Sequence, residues 1–548
     1  MSSLHERVQR WIEADPDERD QETLRTLLAK GDDEELERRF SHPLTFGTAG
    51  LRGEEMAGPA GMNRLTVRRA TQGVSAWLRH CGLDVTQGVV VGRDARRGSE
   101  AFNDEVVAVL LGLGVTVFEM PCPLPTPLVA FAVRALGAVA GIMITASHNP
   151  PADNGYKLYG PDGSQIIAPH DAVVEAAMAN AAVPPLGSRG SAHHHVIPET
   201  TLTQYFDHMV ARFRVPTNDF AIVYTPLHGV GGDPMVRLFA DAGYQSVHVV
   251  SEQFAPDGAF PTVAFPNPEE PGALDLAFAL AKELSASLVV ANDPDADRLC
   301  IAAVDATGAW RALRGDEIGW LLGDVALRSA QPGDVVATTI VSSSLLGTMA
   351  DDLGVTYRET LTGFKWVSKA AGTGHLCFGY EEALGYGVDA LVGDKDGLSA
   401  ALAFAKMAYE LFLAGRTVFD RLDDLERRYG VHAGSQLSLR VPPPAGREVL
   451  LATMARVRAT PPLLLGGQRV VEVVDLELGW PELAPTEGLL WRLEHGGRVV
   501  VRPSGTEPKL KAYIEVVVEP RDDVASSREE AQGLVALIRS DLAAVLAL

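Results

Sequence analysis

Short apolar runs rich in β-branched residues, each closed by glycine, proline or a polar cluster, recur along the chain with helical periodicity between them. Residues 88–94 (GVVVGRD) predict a strand, 99–111 a helix with Ser99 as candidate N-cap, and 115–120 a second strand. A further run over 138–144 follows, so the first domain is expected to be a parallel or mostly parallel sheet with its loops gathered at one edge. The pattern returns at 220–229, 246–250 and 287–290, and a third time at 335–343, 356–359 and 376–379. Three successive strand–loop–helix blocks imply an internal repeat at domain scale. Past residue 432 alternation takes over, with strands expected at 435–441, 469–475 and 489–501, which indicates a smaller α+β domain. Residues 1–40 read as one or two charged amphipathic helices with stripes at Val8, Trp11 and Ile12 and at Leu24, Leu27 and Leu28, a docking extension. The expected division is therefore a helical extension over 1–40, α/β domains over 41–203, 204–310 and 311–431, and the α+β domain over 432–548.

The run over 138–144 stops abruptly in Thr145-Ala146-Ser147-His148-Asn149-Pro150, so a buried strand delivers one hydroxyl to an exposed loop. Ser147 is either a nucleophile or part of a turn that merely ends a strand. Upstream, FGTAGLRG over 46–53 sets glycines around Arg52, which suits a backbone approached by a ligand, with Arg52 as an anion contact.

Composition narrows the partners. A formal charge of −23 repels phosphate backbones and anionic lipid headgroups, which argues against nucleic acid and membrane surfaces but leaves room for a small anion held by local arginines and lysines. Four scattered cysteines without a CxxC pair suggest neither a disulfide framework nor a zinc knuckle, and fit a reducing cytoplasm. The start lacks a signal-type apolar segment, and the most apolar window, 106–118, is short and glycine-interrupted. His193-His194-His195 lies in a stretch rich in Ala, Pro, Gly and Ser and reads as a surface connection, since adjacent side chains do not converge on one ion.

Asp293, Asp295 and Asp297 alternate directly after the 287–290 run, in a loop made compact by Pro294, so three hard carboxylates can face one divalent cation. No His or Cys shares the run, which favours Mg2+. Arg502, Ser504, Gly505 and Thr506 offer a guanidinium, two hydroxyls and a freed backbone, the inventory of a phosphate cradle, or of a plain β-turn. No Gly-Lys dipeptide occurs, so a Walker-type loop is absent, and GxSxG is missing around Ser147. A serine, a metal triad and a separate phosphate cradle together leave phosphoryl transfer as the reaction class that uses all three.

Thr145 to Pro150 with Asn154-Gly155-Tyr156-Lys157, Asp293 to Arg298, Glu381-Glu382-Ala383 and Arg502 to Thr506, in this order, resemble the α-D-phosphohexomutase superfamily, over about residues 40–548. The resemblance implies an α/β fold of four domains around a central cleft, three repeated α/β domains with mixed, largely parallel sheets plus the C-terminal α+β domain. It implies that Ser147 carries a phosphoryl group, with Mg2+ between that group and the three aspartates. A hexose 1,6-bisphosphate would serve as primer and intermediate. Lys157, Arg52, His148 and Arg298 would be the catalytic groups that move protons or neutralise charge. Thr362, Gly363, Glu381 and Ala383 would meet the sugar, and Arg502, Ser504, Gly505, Thr506 and Lys511 its non-reacting phosphate. Many members carry Ser and then His after the glutamate, where this chain has Ala383, Gly385 and Tyr386. That places it near bacterial phosphoglucomutases, some phosphomannomutases and phosphopentomutase-like enzymes. The expectation is a cytoplasmic monomer or homo-oligomer acting on glucose phosphates, with mannose or pentose phosphates as alternatives. A magnesium phosphatase using Ser147 is the different-class alternative.

Overall fold

The first βαβ pattern appears in the computed structural model as a six-stranded mixed sheet. The structure describes residues 3–547 apart from 48–49, 180, 182, 441–445, 481–482, 504–508 and 522. Its strands are Leu51–Glu54 (β1), Val89–Arg93 (β2), Val117–Glu119 (β3), Ala140–Ile144 (β4), Asp153–Tyr159 (β5) and His194–Val196 (β6), in the spatial order β1-β5-β4-β2-β3-β6. β4, β2, β3 and β6 run parallel, while β5 is antiparallel to β4 and β1 to β5. β2 leads through the helix Ser99–Gly112 to β3 on one side, whereas β4 lies on its other side. The carboxyl ends of β2 and β4 thus open at a topological switch point, where ligands gather in such sheets. Val89, Val91, Ile142 and Ile144 are buried against Val74, Trp77, Val106 and Leu110 of the flanking helices.

Two local expectations change here. Ser99 is the first residue of its helix, capped by Gly98, and its hydroxyl turns instead to Asp94 at 2.5 Å. His194 and His195 are not in a free connection but in β6, paired to Phe118 and its neighbours, with the His194 ring on Glu119 at 2.8 Å.

The N-terminal segment forms three helices, Leu4–Ala14, Glu18–Lys30 and Asp33–Phe40. Their apolar faces close a small core of Val8, Trp11, Ile12, Leu24, Leu36 and Phe40 over Ala57 and Leu65, so the extension is docked on the first sheet's domain.

The second sheet, built of Ile222–Thr225 (β7), Val247–Val249 (β8), Leu288–Ala291 (β9), Cys300–Val304 (β10) and Trp310–Ala312 (β11), has the order β11-β10-β9-β7-β8, with β8, β7 and β9 parallel. Residues 1–313 and 385–406 make one unit, and 314–384 with 407–548 make the other. The chain therefore re-enters the first unit with the short strand Gly385–Gly387 and the start of the helix Gly397–Leu413.

In the second unit Asp334–Thr339 (β12) lies between Thr356–Thr360 (β13) and His375–Glu381 (β14), all parallel. Its C-terminal sheet has six strands and is covered by the helix Val524–Val545, whose Val535, Ile538 and Leu542 join the core. The single strand expected over 489–501 is a hairpin. Leu489–Leu493 turns through Glu494–Gly496, where His495 sits at φ +65°, into Arg498–Pro503. The strand Lys509–Val518, which had no counterpart in the sequence reading, pairs with both Arg498–Pro503 and Val431–Arg440. Among the described residues no single helix is long and apolar enough to cross a membrane.

Candidate active site

Ser147 stands one turn beyond β4 in the left-handed region, φ +51°, a conformation that costs a non-glycine residue about 1–3 kcal/mol. The loop is held in that shape from below. Arg96, two residues past Asp94 after β2, donates from one guanidinium to the carbonyls of Ser147, Asn149, Pro150 and Asp153 at 2.5–3.0 Å, and the Ser147 N–H donates to Thr145 Oγ1 at 2.9 Å. The loop hydroxyl expected to be exposed is buried, with 2% of its surface accessible. The physical reason is the acidic loop over it. Ser147 Oγ donates to Asp293 Oδ2 at 2.6 Å and lies 3.2 Å from His148 Nδ1.

Asp293, Asp295 and Asp297 follow β9, and all three are fully buried. Gly229 and Gly397 close on this loop from two sides. A Cβ on Gly229 would sit 2.3 Å from Pro294 Cα, and one on Gly397 2.3 Å from the Arg298 carbonyl, so neither position has room for a side chain. Lys157, from β5, donates to Asp295 and Asp297, each at 2.6 Å; Lys395 reaches Asp297 at 3.1 Å and Thr126 Oγ1 donates to Asp295 at 2.6 Å. Arg298 donates its backbone N–H to Asp293 Oδ1 at 3.0 Å, and its Nε is 3.9 Å from Oδ2. Arg52, from β1, donates to Asn149 Oδ1 at 3.1 Å, and its buried Nε meets no acceptor.

The electrostatics set Asp293 and Asp297 apart. Burial, with Asp295 and Asp297 beside it, pushes the Asp293 carboxyl well above the usual range. Burial also opposes ionisation of Asp297, but Lys157, Lys395 and Arg298 outweigh it and hold that carboxyl well below the usual range. Lys157 is buried too, yet the two carboxylates keep it more basic than an ordinary lysine. Burial, and then Arg298 and Arg52, drive His148 well below the ordinary imidazole value, so its ring is neutral. The Oδ1 atoms of Asp295 and Asp297 are buried without a donor, and one oxygen from each aspartate lies within 4.8 Å of the others. Three hard carboxylate ligands, two of them with an oxygen that no donor meets, fit a small divalent cation such as Mg2+.

The second unit holds the remaining candidates. The Gly363 N–H, at a residue with φ +111°, donates to Glu381 Oε1 at 2.8 Å, which ties the Thr362-Gly363 loop after β13 to the end of β14. Ala383 is half-buried, next to Leu384 at φ +65°. Arg502 and Lys511 face each other across one strand pair, and Ser504, Gly505 and Thr506 lie outside the described residues.

Three residues of the first unit's cluster were missed by sequence reasoning. Arg96 carries a signal of a kind, an arginine two residues beyond an aspartate that ends a strand. Lys395 and Thr126 carry none, because only the fold brings positions so distant in sequence to the acidic loop.

Four family models described as phosphoglucomutase/phosphomannomutase match the chain: alpha/beta/alpha domain I over residues 43–183, domain II over 203–307, domain III over 314–429, and the C-terminal domain over 446–531. A probable phosphomannomutase of Haemophilus influenzae is 38% identical, covering 88% of this chain and 98% of its own. A human phosphopentomutase is 33% identical over 98% of this chain and 95% of its own. Among solved structures, the open form of pp63/parafusin from Paramecium, a phosphoglucomutase, superposes with a TM-score of 0.69 at 19% identity, covering 91% of this chain and 95% of that one, a likeness of fold.

Proposed function

Because the chain belongs to the phosphoglucomutase/phosphomannomutase family, we propose that it is a phosphosugar mutase interconverting glucose 1-phosphate and glucose 6-phosphate through a phosphorylated Ser147 and a bound hexose 1,6-bisphosphate. The observation that carries this reading is the Ser147 hydroxyl seated at 2.6 Å on the Asp293 carboxyl, which belongs to a buried aspartate triad. Asp293, Asp295 and Asp297 would hold Mg2+, together with an oxygen of the phosphate on Ser147, and the cation would supply the positive charge that offsets charge on the transferring phosphoryl group.

In each half-reaction a sugar hydroxyl oxygen forms a bond to phosphorus as the Ser147 Oγ–P bond breaks, or the reverse. The hydroxyl proton must leave as that bond forms. His148, 3.2 Å from Ser147 Oγ, would take it where the charge of the phosphate on Ser147 offsets burial, Arg298 and Arg52, which otherwise hold the ring neutral. Lys157 is held charged by two carboxylates and is suited to neutralise rather than to accept a proton. Arg52 and Arg298 add positive charge near the same oxygen. In the second unit Thr362, Gly363, Glu381 and Ala383 would meet the sugar, and Arg502, Lys511 and the 504–506 segment its second phosphate.

Pentose phosphates are the second reading, favoured by the 33% identity with a phosphopentomutase over nearly the whole chain. The test offers the purified enzyme glucose, mannose and ribose 1-phosphates with a bisphosphate primer and reads the products by NMR. Net release of inorganic phosphate in place of isomerised sugar phosphate would overturn the mutase reading.

A further inference from the structure

We propose that Arg498 is a positioning residue that holds the sugar-contacting loops of the second unit at a set distance from the strand pair carrying Arg502 and Lys511. The inference rests on the mutase reading above and deepens it, by naming what aligns the sugar with its anchored phosphate.

Arg498 is buried, 6% exposed, and opens the strand Arg498–Pro503, on which Arg502 lies four residues, two repeats of the pleat, further on. Its guanidinium points in three directions. Nε donates to Glu515 Oε2 at 2.9 Å, Nη1 to Glu359 Oε1 at 2.6 Å, and Nη2 to the Ser342 carbonyl at 2.5 Å. Glu515 is its cross-strand partner, on the strand that also carries Lys511. Glu359 lies in β13, just before the Thr362-Gly363 loop, and Ser342 lies in the loop after β12.

Each contact continues toward a sugar-contacting residue. Ser342 Oγ donates to Glu382 Oε2 at 2.9 Å and accepts from the Glu382 N–H at 3.2 Å, fixing the residue next to Glu381. Glu515 Oε1 accepts from Ser343 Oγ at 2.6 Å and the Ser344 N–H at 2.8 Å, which clamps the same loop from the other strand. The Gly363 N–H then joins the two sugar loops through Glu381. One planar fork therefore references both loops to the phosphate-bearing strands, and an ammonium, which has no fixed fork, cannot serve three fixed acceptors in this way. Recognition of a sugar phosphate needs its hydroxyls and its phosphate to be met at once, so an error in this spacing should misplace the reacting hydroxyl while leaving the phosphate bound.

The experiment compares wild type, Ser342→Ala, Arg498→Lys and the double variant in steady-state kinetics with glucose 1-phosphate and mannose 1-phosphate, alongside thermal melts. Ser342→Ala keeps the carbonyl on which Arg498 donates and breaks only the onward link from Ser342 Oγ to Glu382, so it tests the same chain of contacts if Arg498→Lys fails to fold. The expected result is a kcat lowered about tenfold to a hundredfold, the scale at which small misplacements act, with KM within about twofold. The preference between the two epimers should narrow, and the two single effects should combine to less than their product. A lowered melting temperature with wild-type kcat, KM and epimer preference would leave Arg498 a purely structural brace and overturn the proposal. Wild-type enzyme that isomerises neither of these hexose phosphates nor ribose 1-phosphate would overturn the mutase reading, and the proposal with it.

Discussion

The Ser147 hydroxyl donates a 2.6 Å hydrogen bond to Asp293 Oδ2, joining the end of β4 to the end of β9 across two sheets of the first unit. Because both groups are buried, Ser147→Ala should have three effects. Intact-mass analysis should lose any phosphorylated fraction, and mutase activity should vanish. The Asp293 carboxyl is also left short of a donor, so stability in the absence of metal should fall by about 1–3 kcal/mol. Retained activity in this variant would remove Ser147 from the chemistry.

Asp295→Asn keeps the shape of the acidic loop and removes one of its charges. Asp295 balances Lys157 and accepts from Thr126, so the variant weakens both the cation site and a buried ion pair. With wild type, Mg2+ should raise the melting temperature in a concentration-dependent way, since a ligand that binds only the folded state stabilises it. In Asp295→Asn that shift should shrink or disappear, and turnover should drop by orders of magnitude. An unchanged Mg2+-induced shift would count against the triad as the metal site.

Arg96→Lys tests the support of the strained serine. An ammonium cannot reach four carbonyls spread over residues 147–153, so the loop should relax from the φ +51° geometry. Loss of charge-assisted hydrogen bonds in a site 3% exposed should lower stability by about 1.5–3 kcal/mol. Phosphorylation of the enzyme by a bisphosphate should slow more than sugar-phosphate affinity falls. Denaturant melts paired with phosphoenzyme formation rates measure both, and a wild-type phosphorylation rate would show that Arg96 has no part in holding the serine.

Glu382 should make stability fall with rising pH. Burial, then Glu381 and Asp316, push its carboxyl up to about 7 from an ordinary 4.5. The folded state thus holds a proton that the unfolded chain has already released. The contribution is complete below pH 4.5 and is lost as pH rises through about 7. Glu382→Gln copies the protonated form and cannot titrate, so its stability relative to wild type should improve across that window. Parallel curves for the two proteins at all pH values would contradict the assignment.

The sequence showed elements where one signal dominated. The β-branched runs before Ser147 and Asp293 are strands within a residue or two of their expected limits, because burial on both faces leaves little but apolar residues there. The hairpin at 494–497 was invisible because apolar residues continue through Leu493 and resume at Val499 with only a short polar break between them. His194 and His195 misled in the opposite sense, since an edge strand paired on one side needs little apolar content. Within the site, the aspartate spacing pointed to a group able to hold a cation, and the three carboxyls do converge, but the burial of Ser147 was not legible. It depends on a loop of a different sheet, and local pattern carries no information about what lies over a turn. Arg96 was missed for the same reason, its partners being carbonyls, which every residue has.

The acidic loop and its second lysine are separated in the order of synthesis. Lys395 reaches Asp297 only after the chain has left the first unit, formed β12 to β14, and come back. A ribosome that has released residues 1–313 has therefore made all three aspartates but not the lysine, nor Gly397, whose bare backbone closes against the loop. Until the returning segment arrives, Lys157 alone among the lysines faces the cluster, and its charge balance waits on later translation. A fragment cut after residue 313 would keep that condition permanently, so the half of this protein that carries Ser147 is not separable at the boundary where its second sheet ends.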